Sequence, residues 1–460
     1  MKARKILQQC NFKWYEIGIL LFICGFMFWG MIMFSDMKIT SVGSFSILQG
    51  HFRSFYDNSI NSGVSPELVY YPTMYFIFAL WNILPYFILG AHPELYSVRQ
   101  MICLLYWDKV LVLLFCIGTL FFFYKICQCC FHDSKRSAFV TMFFLFSPYI
   151  FISELTFGTY DYLYMFFVMA ALYVYLNDKS KLWWLKFTLL FGFSFTIKQL
   201  TVFIWLPLLL YREKRILHLF KHIIVGFSFY IMETLIFWPS DYFREHVLNS
   251  HFIMFMTRMT LNNGMCSISI WGILFGLILC FCFFTEYDDE NPYKALWICM
   301  LGPICILLTC HWTINWILLY TPMLMILIFN SKERNKYYLT ELGFCLIFIL
   351  MLFYQQTNYW GYVYYGEGML DYSILGFLRD ENDILLTTKL VSSSTYTIIM
   401  GVLYSILIYY IYSLSPFRKA KTNPIDISEI NEKDKNSMIA NFVIGSMIYI
   451  IPILLGTISR

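Results

Sequence analysis

Two acidic residues stand directly beside long apolar runs of the sequence. Asp36 follows the run 14–34, and Asp161 ends the turn 157–161 and opens the next apolar run. Ionisable groups in such places are candidates for function, because a charge close to the bilayer core is costly. One carboxylate could act as a general base while the other positions a reacting group. The alternatives are a solvated carboxylate or a partner of Lys38 at Asp36, and an acid favoured by the helix dipole at Asp161.

Cationic and hydrogen-bonding side chains stand at comparable positions. Lys198 and Gln199 separate two apolar runs, where a lysine could neutralise a phosphate as a compact point charge. Snorkelling of Lys198 to the membrane surface is the alternative. His311 closes a further run and could bind a phosphate or a sugar hydroxyl, with a structural histidine as the alternative. Arg53 and Tyr71 add hydrogen-bond donors between the first two runs.

The composition determines which kind of molecule must position these groups. The chain has 460 residues, of which 59% are apolar, 21% aromatic and only 13% charged, and its mean hydropathy is +0.62. Soluble domains are about 45–50% apolar and about 25% charged, so the composition indicates a membrane protein. A net charge of +4 is too small to indicate a nucleic-acid partner.

Apolar runs long enough to cross a bilayer predict an all-α polytopic membrane protein with 13 spans, since a span needs about 20 apolar residues. The run 72–90 is interrupted by Pro85 and is counted as interfacial. The pair within 184–211 is short and could be a bent helix with a re-entrant piece. The predicted spans are 14–34, 109–127, 139–156, 162–177, 184–197, 200–211, 222–238, 269–285, 295–310, 314–330, 340–354, 395–413 and 438–456.

The positive-inside rule orients these spans. With the N-terminus in the cytoplasm and 72–90 at the interface, most of the 33 Lys and Arg residues fall on the cytoplasmic side. The stripe of apolar residues in 40–55 predicts a helix that lies in the interface, and the polar segment 414–437 predicts a flexible cytoplasmic linker. The C-terminus is then outside, and the extracytoplasmic segments are 35–108, 157–161, 239–268 and 355–394.

Metal and nucleotide sites are not indicated. Most of the 14 cysteines lie inside apolar runs, where a thiol behaves as a small hydrophobic group. Cys127, Cys129 and Cys130 stand beside His132, but a second pair of ligands at a matching spacing is missing. We find no Gly-rich phosphate loop, so chemistry is expected at the membrane surface.

The order of several short motifs resembles a known family. An acid follows the first apolar run, and a Tyr-Pro step comes at Tyr71-Pro72 in a long loop. The motifs that follow are Ser147-Pro148-Tyr149, Phe157-Gly158-Thr159-Tyr160-Asp161 and Phe191-Gly192-Phe193-Ser194-Phe195-Thr196-Ile197-Lys198. This order is similar to that of the GT-C superfamily of integral-membrane glycosyltransferases, which includes the protein O-mannosyltransferases and the aminoarabinose transferases. The resemblance covers roughly residues 14–330.

The resemblance implies a GT-C-like transmembrane catalytic module at 1–330, which includes the first loop 35–108, and a variable C-terminal region at 331–460. It implies that Asp36 is the general base and Asp161 a further active-site residue. The residues implied to bind the donor phosphate or substrate are Lys198, Arg53, His311, Tyr71 and Gln199.

The implied reaction moves a sugar, most simply a hexose, with inversion from a polyprenyl-phosphate donor to an extracytoplasmic glycan, lipid or protein. No cofactor is expected. A divalent metal is not favoured, because a lone aspartate rather than an acidic pair follows the first span. Abundant Phe, Tyr and Ile suggest an AT-rich bacterial genome, and therefore a plasma-membrane enzyme whose carrier is undecaprenyl phosphate.

Two other classes of membrane protein remain open. A flippase or small-molecule transporter typically shows two related halves and charges near the bilayer midplane, whereas here the charged residues lie at the ends of the runs. A polymerase of envelope polysaccharide would be expected to carry Arg-rich outer loops. The predicted outer loops contain only Arg53, Arg99, Arg244, Arg258 and Arg379.

Overall fold

The computed structural model describes most of the chain, and nearly all of that part is helical. The two short strands, β1 (Thr260–Asn262) and β2 (Ser267–Ser269), pair antiparallel, so the all-α prediction is confirmed. The described residues are 12–30, 35–61, 68–156, 158–248, 256, 259–262, 267–310, 314–331, 334–355, 393–417 and 432–458.

The α-helices follow the predicted apolar runs closely. Short 3₁₀ or π-helical turns join several of them, at Pro93–Leu95, Phe151–Thr156, Gln199–Thr201, Phe243–Leu248 and Ile314–Leu319. The helices are α1 (Trp14–Gly30), α2 (Ser35–Leu48), α3 (Phe55–Asn61), α4 (Pro72–Trp81), α5 (Ile83–Leu89), α6 (Val98–Phe131), α7 (Ser134–Leu145), α8 (Pro148–Ile150), α9 (Asp161–Asn177), α10 (Trp183–Ile197), α11 (Val202–Arg212), α12 (Ile216–Gly226), α13 (Ser228–Phe237), α14 (Ile270–Phe284), α15 (Pro292–Thr309), α16 (Thr321–Phe329), α17 (Arg334–Gln355), α18 (Ser393–Ser413) and α19 (Glu432–Ile458).

The lengths and composition of the helices identify an integral membrane protein. Within the described residues, Arg99–Phe131 and Pro292–Thr309 are each long and apolar enough to cross a bilayer. Helices α4 and α5 together, and α12 and α13 together, have the composition of a span but are bent by 55° and 41°. Further apolar helices are shorter, so the count of 13 spans stays a prediction.

The chain divides into two compact units, and both are discontinuous in sequence. The catalytic and variable regions expected at 1–330 and 331–460 stay a prediction, since these units have other boundaries. Unit 1 comprises Met1–Ser35, Phe123–Thr159 and Leu324–Arg460, and unit 2 comprises Asp36–Phe122 and Tyr160–Met323.

Unit 1 contains buried ion pairs between its helices. Arg334 on α17 lies 3.3 Å from Asp434 on α19, measured from Nε to Oδ1. Lys435 on α19 lies 3.1 Å from Glu16 on α1, measured from Nζ to Oε1. Because removing one partner of a buried pair leaves a costly charge, these contacts fix α19 against α1 and α17.

Unit 2 contains the first loop and a core built mainly from aromatic side chains. This aromatic cluster joins α3 and α4 to the residues around the end of α13. Its fully buried members are Phe55, Tyr56, Leu68, Tyr71, Tyr75, Phe237, Phe243 and Val247.

Helix α2 begins earlier than the stripe at 40–55 predicted, and it ends where Gly50 takes a left-handed conformation at φ 94°. All residues from Thr40 to Ser46 are buried. Small residues allow such close packing: a Cβ atom added to Gly43 would overlap the side chain of Leu68.

The end of the predicted first loop is also helical. Helix α6 starts at Val98, so the last residues of the segment 35–108 belong to a helix of 34 residues. Asp108 and Lys109 are both buried inside it. Their two charges lower the local hydropathy, which is why the predicted run 109–127 does not extend back to the start of the helix.

Several predicted segments fall on residues outside the described ranges. These are 356–392 within the outer segment 355–394, residues 418–431 within the linker 414–437, and much of the segment 239–268.

Candidate active site

Asp161 is the first residue of α9 and is almost fully buried. Its side chain is 1% exposed. The preceding residue, Tyr160, caps the helix without a side-chain hydrogen bond to the backbone. A carboxylate at this position is favoured by the positive end of the helix dipole, but burial at 1% exposure also requires hydrogen-bond partners from elsewhere in unit 2.

Lys198 provides the first of these partners. Helix α10 ends at Ile197, and Lys198 takes an extended conformation with φ −148° and ψ 118° before the turn Gln199–Thr201. Its Nζ lies 2.5 Å from Oδ1 of Asp161, and its side chain is 11% exposed. The sequence left the break between α10 and α11 ambiguous. In the structure, this break places the Lys198 ammonium against the buried Asp161 carboxylate.

Asn315 provides the second partner. It lies in the 3₁₀ turn Ile314–Leu319, and its Nδ2 donates to Oδ2 of Asp161 at 2.6 Å. Both carboxylate oxygens are thus hydrogen-bonded, which offsets part of the cost of burying the ion pair. Sequence analysis missed Asn315. The available signal was an amide at the start of an otherwise apolar run, since polar groups in spans are rare and often functional.

The aromatic ring of Tyr164 lies close to the Lys198 ammonium. The Nζ of Lys198 lies 5.4 Å from the centroid of this ring, within the range of a cation–π interaction. Tyr164 is one helical turn beyond Asp161 on α9, so α9 contributes both the carboxylate and the ring. We call Asp161, Lys198, Asn315 and Tyr164 the Asp161 cluster.

Helix α2, which carries Asp36, contacts the residue that precedes α9. Asp36 is the second residue of α2, and Thr40 lies one turn further along. Residues four apart share a face of a helix. The Oγ1 of Thr40 donates to the Tyr160 hydroxyl at 3.1 Å, so α2 contacts the residue that precedes α9. The side chain of Asp36 lies outside the described part of the structure.

The other predicted site residues have different environments. Tyr71 is buried in the aromatic cluster, with its ring stacked on that of Tyr230 at 4.7 Å. Arg53 is exposed in the turn between α2 and α3, and Gln199 is half-buried directly after Lys198. His311 lies outside the described residues. The structure therefore brings together Asp161, Lys198 and the helix of Asp36, while the binding roles of the other residues stay predictions.

A further buried carboxylate lies in unit 2, and sequence analysis missed it. Glu233 on α13 is 8% exposed. The Thr73 hydroxyl at the start of α4 donates to its Oε1 and also lies 3.0 Å from the Thr196 hydroxyl in the last turn of α10. The signal was a charged residue in the middle of the predicted span 222–238.

The described residues contain no group of three or more His, Cys, Asp or Glu side chains placed to hold a metal ion. Cys127 and Cys130 are buried, and Cys129 is half-buried.

Comparisons with known proteins found matches among solved structures. No family model matches the chain, and no curated protein matches it. Among solved structures, the chain is similar to ArnT from Cupriavidus metallidurans bound to undecaprenyl phosphate. The identity is 12%, the TM-score is 0.43, and the match covers 95% of this chain and 77% of that chain.

Proposed function

We propose that this chain is a GT-C-type membrane glycosyltransferase that transfers a sugar from a polyprenyl-phosphate donor to an acceptor at the extracytoplasmic face. The observation that carries the proposal is the Asp161 cluster. A buried lysine and aspartate lie together at a helix start, and α2, the helix that carries Asp36, is hydrogen-bonded to the residue before that helix start. Buried charges of this kind are expensive for stability and are expected where charge is used in a reaction.

Lys198 is the group that binds the phosphate of the donor in this proposal. An ammonium has three N–H donors, so it can hold Asp161 and a phosphate oxygen at the same time. Its side chain is 11% exposed, and a cation in such a site interacts more strongly with developing charge than a cation in water. Lys198 therefore stabilises the leaving polyprenyl phosphate.

Asp161 and Asn315 hold Lys198 in place. Asn315 hydrogen-bonds Oδ2 of Asp161 and leaves Oδ1 to the ammonium. These two hydrogen bonds fix the Asp161 carboxylate before the donor binds. Preorganised charge is the main electrostatic source of rate enhancement in enzymes.

Asp36 is the general base. It takes the proton of an acceptor hydroxyl, whose oxygen attacks the anomeric carbon from the side opposite the phosphate. The new C–O bond forms as the bond from the anomeric carbon to the phosphate oxygen breaks, and the electron pair leaves on the phosphate. The configuration at the anomeric carbon is inverted.

The proposal requires neither a nucleotide nor a cofactor, because the leaving group is itself a lipid phosphate paired with a cation. We propose undecaprenyl phosphate as the carrier, a bacterial plasma membrane as the location, and a surface glycan, lipid or protein as the acceptor. A divalent metal is not part of the proposed mechanism.

The first test compares the purified protein in lipid nanodiscs with Asp36→Asn. We expect the wild type to release undecaprenyl phosphate from undecaprenyl-phosphate sugars. Asp36→Asn should bind the same lipids but lose at least about 100-fold in turnover, which is the usual contribution of a general base. The change keeps the shape of the side chain and removes the base.

Asp241→Asn serves as the matched control, since Asp241 is also predicted to be extracytoplasmic but its side chain is 80% exposed. It should leave turnover unchanged. Equal turnover by Asp36→Asn and wild type would remove Asp36 from the mechanism. Failure of the wild type to bind any such lipid would contradict the proposed class and favour a transporter or a polysaccharide polymerase.

A further inference from the structure

The buried carboxylate of Glu233 connects three helices of unit 2. It lies on α13, and it accepts a hydrogen bond from the Thr73 hydroxyl and interacts with the Thr73 backbone N–H. Thr73 is 6% exposed and Glu233 is 8% exposed. The Thr73 hydroxyl is also within 3.0 Å of the hydroxyl of Thr196, which is itself fully buried on α10. We call Glu233, Thr73 and Thr196 the Glu233 clamp.

The start of α4 explains why a hydrogen-bond acceptor is needed there. Tyr71 is the N-cap residue and forms no side-chain capping bond, and Pro72 occupies the first turn. The first N–H groups of a helix need acceptors, and a negative charge is favoured at that end. Glu233 supplies from a separate helix the cap that the sequence of α4 does not provide.

The clamp stands next to both supports of the proposed active site. On one side, Thr196 precedes Lys198 by two residues, at the end of α10. On the other side, Tyr70 packs edge-to-face on Tyr160 with ring centroids 5.2 Å apart. Tyr160 in turn accepts the hydrogen bond from Thr40 on α2. A shift of α4 relative to α10 would therefore move the Lys198 turn relative to the start of α9.

We infer that Glu233 is a positioning residue, which sets the distance between the Lys198 turn and the helix starts of α4 and α9. This inference rests on the proposed function. Glu233 acts through Thr73 and Thr196 and does not contact the donor or the acceptor. Since its task is to accept hydrogen bonds from Thr73, a neutral acceptor of the same shape can replace it.

The experiment measures kcat and KM for the undecaprenyl-phosphate sugar in nanodiscs. We expect Glu233→Leu and Thr73→Val each to lower kcat about tenfold or more with little change in KM, because small displacements of a charged group weaken transition-state interactions. Glu233→Gln keeps an acceptor for Thr73 and should retain most of the wild-type kcat.

The double variant Glu233→Leu/Thr73→Val should lose no more activity than either single variant, since both remove the same interaction. Thr119→Val is the control, because Thr119 is equally buried but donates only within its own helix, to the Phe115 carbonyl. It should keep the wild-type kcat and KM.

Several results would overturn the inference. They are unchanged kcat in Glu233→Leu or Thr73→Val, additive losses in the double variant, or a Glu233→Gln variant as impaired as Glu233→Leu. The last result would mean that the charge itself acts on the substrate. If Glu233→Leu does not fold, Glu233→Gln, Thr73→Val and Thr196→Val decide the question. No turnover by the wild type would instead refute the proposed function.

Discussion

At the scale of single residues, the Asp161–Lys198 pair links stability to function. The two side chains are 1% and 11% exposed, so each would be left as a poorly solvated charge without the other. Replacing a buried ion pair with neutral groups of similar size is often close to neutral for stability, whereas removing one partner is costly. The pair is therefore better explained by its proposed use in binding a phosphate than by the stability that it contributes.

Lys198→Met should lower the free energy of unfolding by about 3–5 kcal/mol, because it leaves Asp161 buried without its cation. The double variant Asp161→Asn/Lys198→Met should recover most of that loss, since neither charge remains. The measurement is thermal unfolding of the purified proteins in one detergent, analysed as a double-mutant cycle.

Donor binding separates the two roles in the same set of variants. Asp161→Asn keeps the ammonium and should still bind undecaprenyl phosphate, whereas Lys198→Met and the double variant should not. Binding by Lys198→Met as tight as that of the wild type would show that another group holds the phosphate. Arg53 and His311 are the predicted candidates for that group.

At the scale of helices, close backbone contacts fix the elements that carry the Asp161 cluster. Helix α11 follows the Lys198 turn and packs on α15. A Cβ atom added to Gly302 on α15 would overlap the carbonyl oxygen of Phe203 on α11. Glycine lets membrane helices approach closely, and here it lets α15 approach the helix that starts beside Lys198.

Gly302→Ala should therefore destabilise the protein by about 1–3 kcal/mol, as overpacking of a core usually does. The matched control is Gly276→Ala on the neighbouring helix α14, where an added Cβ meets nothing within 4 Å. We expect Gly276→Ala to leave Tm unchanged or slightly raised, because Ala has the higher helix propensity. Equal Tm values for the two variants would mean that α11 and α15 separate without cost.

At the scale of the whole molecule, contacts within unit 2 support the prediction that residues 72–90 do not cross the bilayer. The segment begins beside Tyr160, on which the Tyr70 ring packs, and Tyr160 is bonded to Thr40 on α2. Just beyond the end of the segment, the Ala91 carbonyl accepts a hydrogen bond from the Gln49 amide at 2.7 Å. Both ends therefore lie along α2, whose 14 residues span about 21 Å, less than the roughly 30 Å of a hydrocarbon core.

Ion pairs between predicted cytoplasmic loops agree with the same assignment of segments to the two sides of the membrane. Lys179 pairs with Asp289, and both residues belong to segments predicted to be cytoplasmic. Asp178 pairs with Lys186, whose hydrogen bond lowers the pKa of the Asp178 carboxyl to about 2. The lowered pKa means that the pair favours the ionised form of this carboxylate.

Cysteine labelling tests directly on which side of the membrane each loop lies. Arg53→Cys and Glu94→Cys flank the segment 72–90, and both positions are exposed. Starting from a variant with Cys10, Cys103, Cys266 and Cys280 replaced by Ser, we expect a membrane-impermeant maleimide to label both positions on intact cells. Glu290→Cys, predicted to be cytoplasmic, should be labelled only after permeabilisation. Labelling of only one of residues 53 and 94 on intact cells would show that 72–90 spans the membrane.

The sequence alone was enough to predict the all-α class and the approximate bounds of many helices, and it singled out Asp36, Asp161 and Lys198 as candidate site residues. Each of these depends on local properties, namely the hydropathy of a run and a charged residue at its end. The sequence also placed a break near Lys198, although the residues on either side are equally apolar.

The tertiary structure decided which of these residues meet. Asp161 binds Lys198 at a separation of 37 residues and Asn315 at a separation of 154, and neither separation follows from a local pattern. Packing also buried Tyr71 in an aromatic cluster and brought Glu233 to the start of α4. Hydropathy fixes only the depth of a residue in the membrane. Which side chains share that depth and touch depends on how the helices pack around one another.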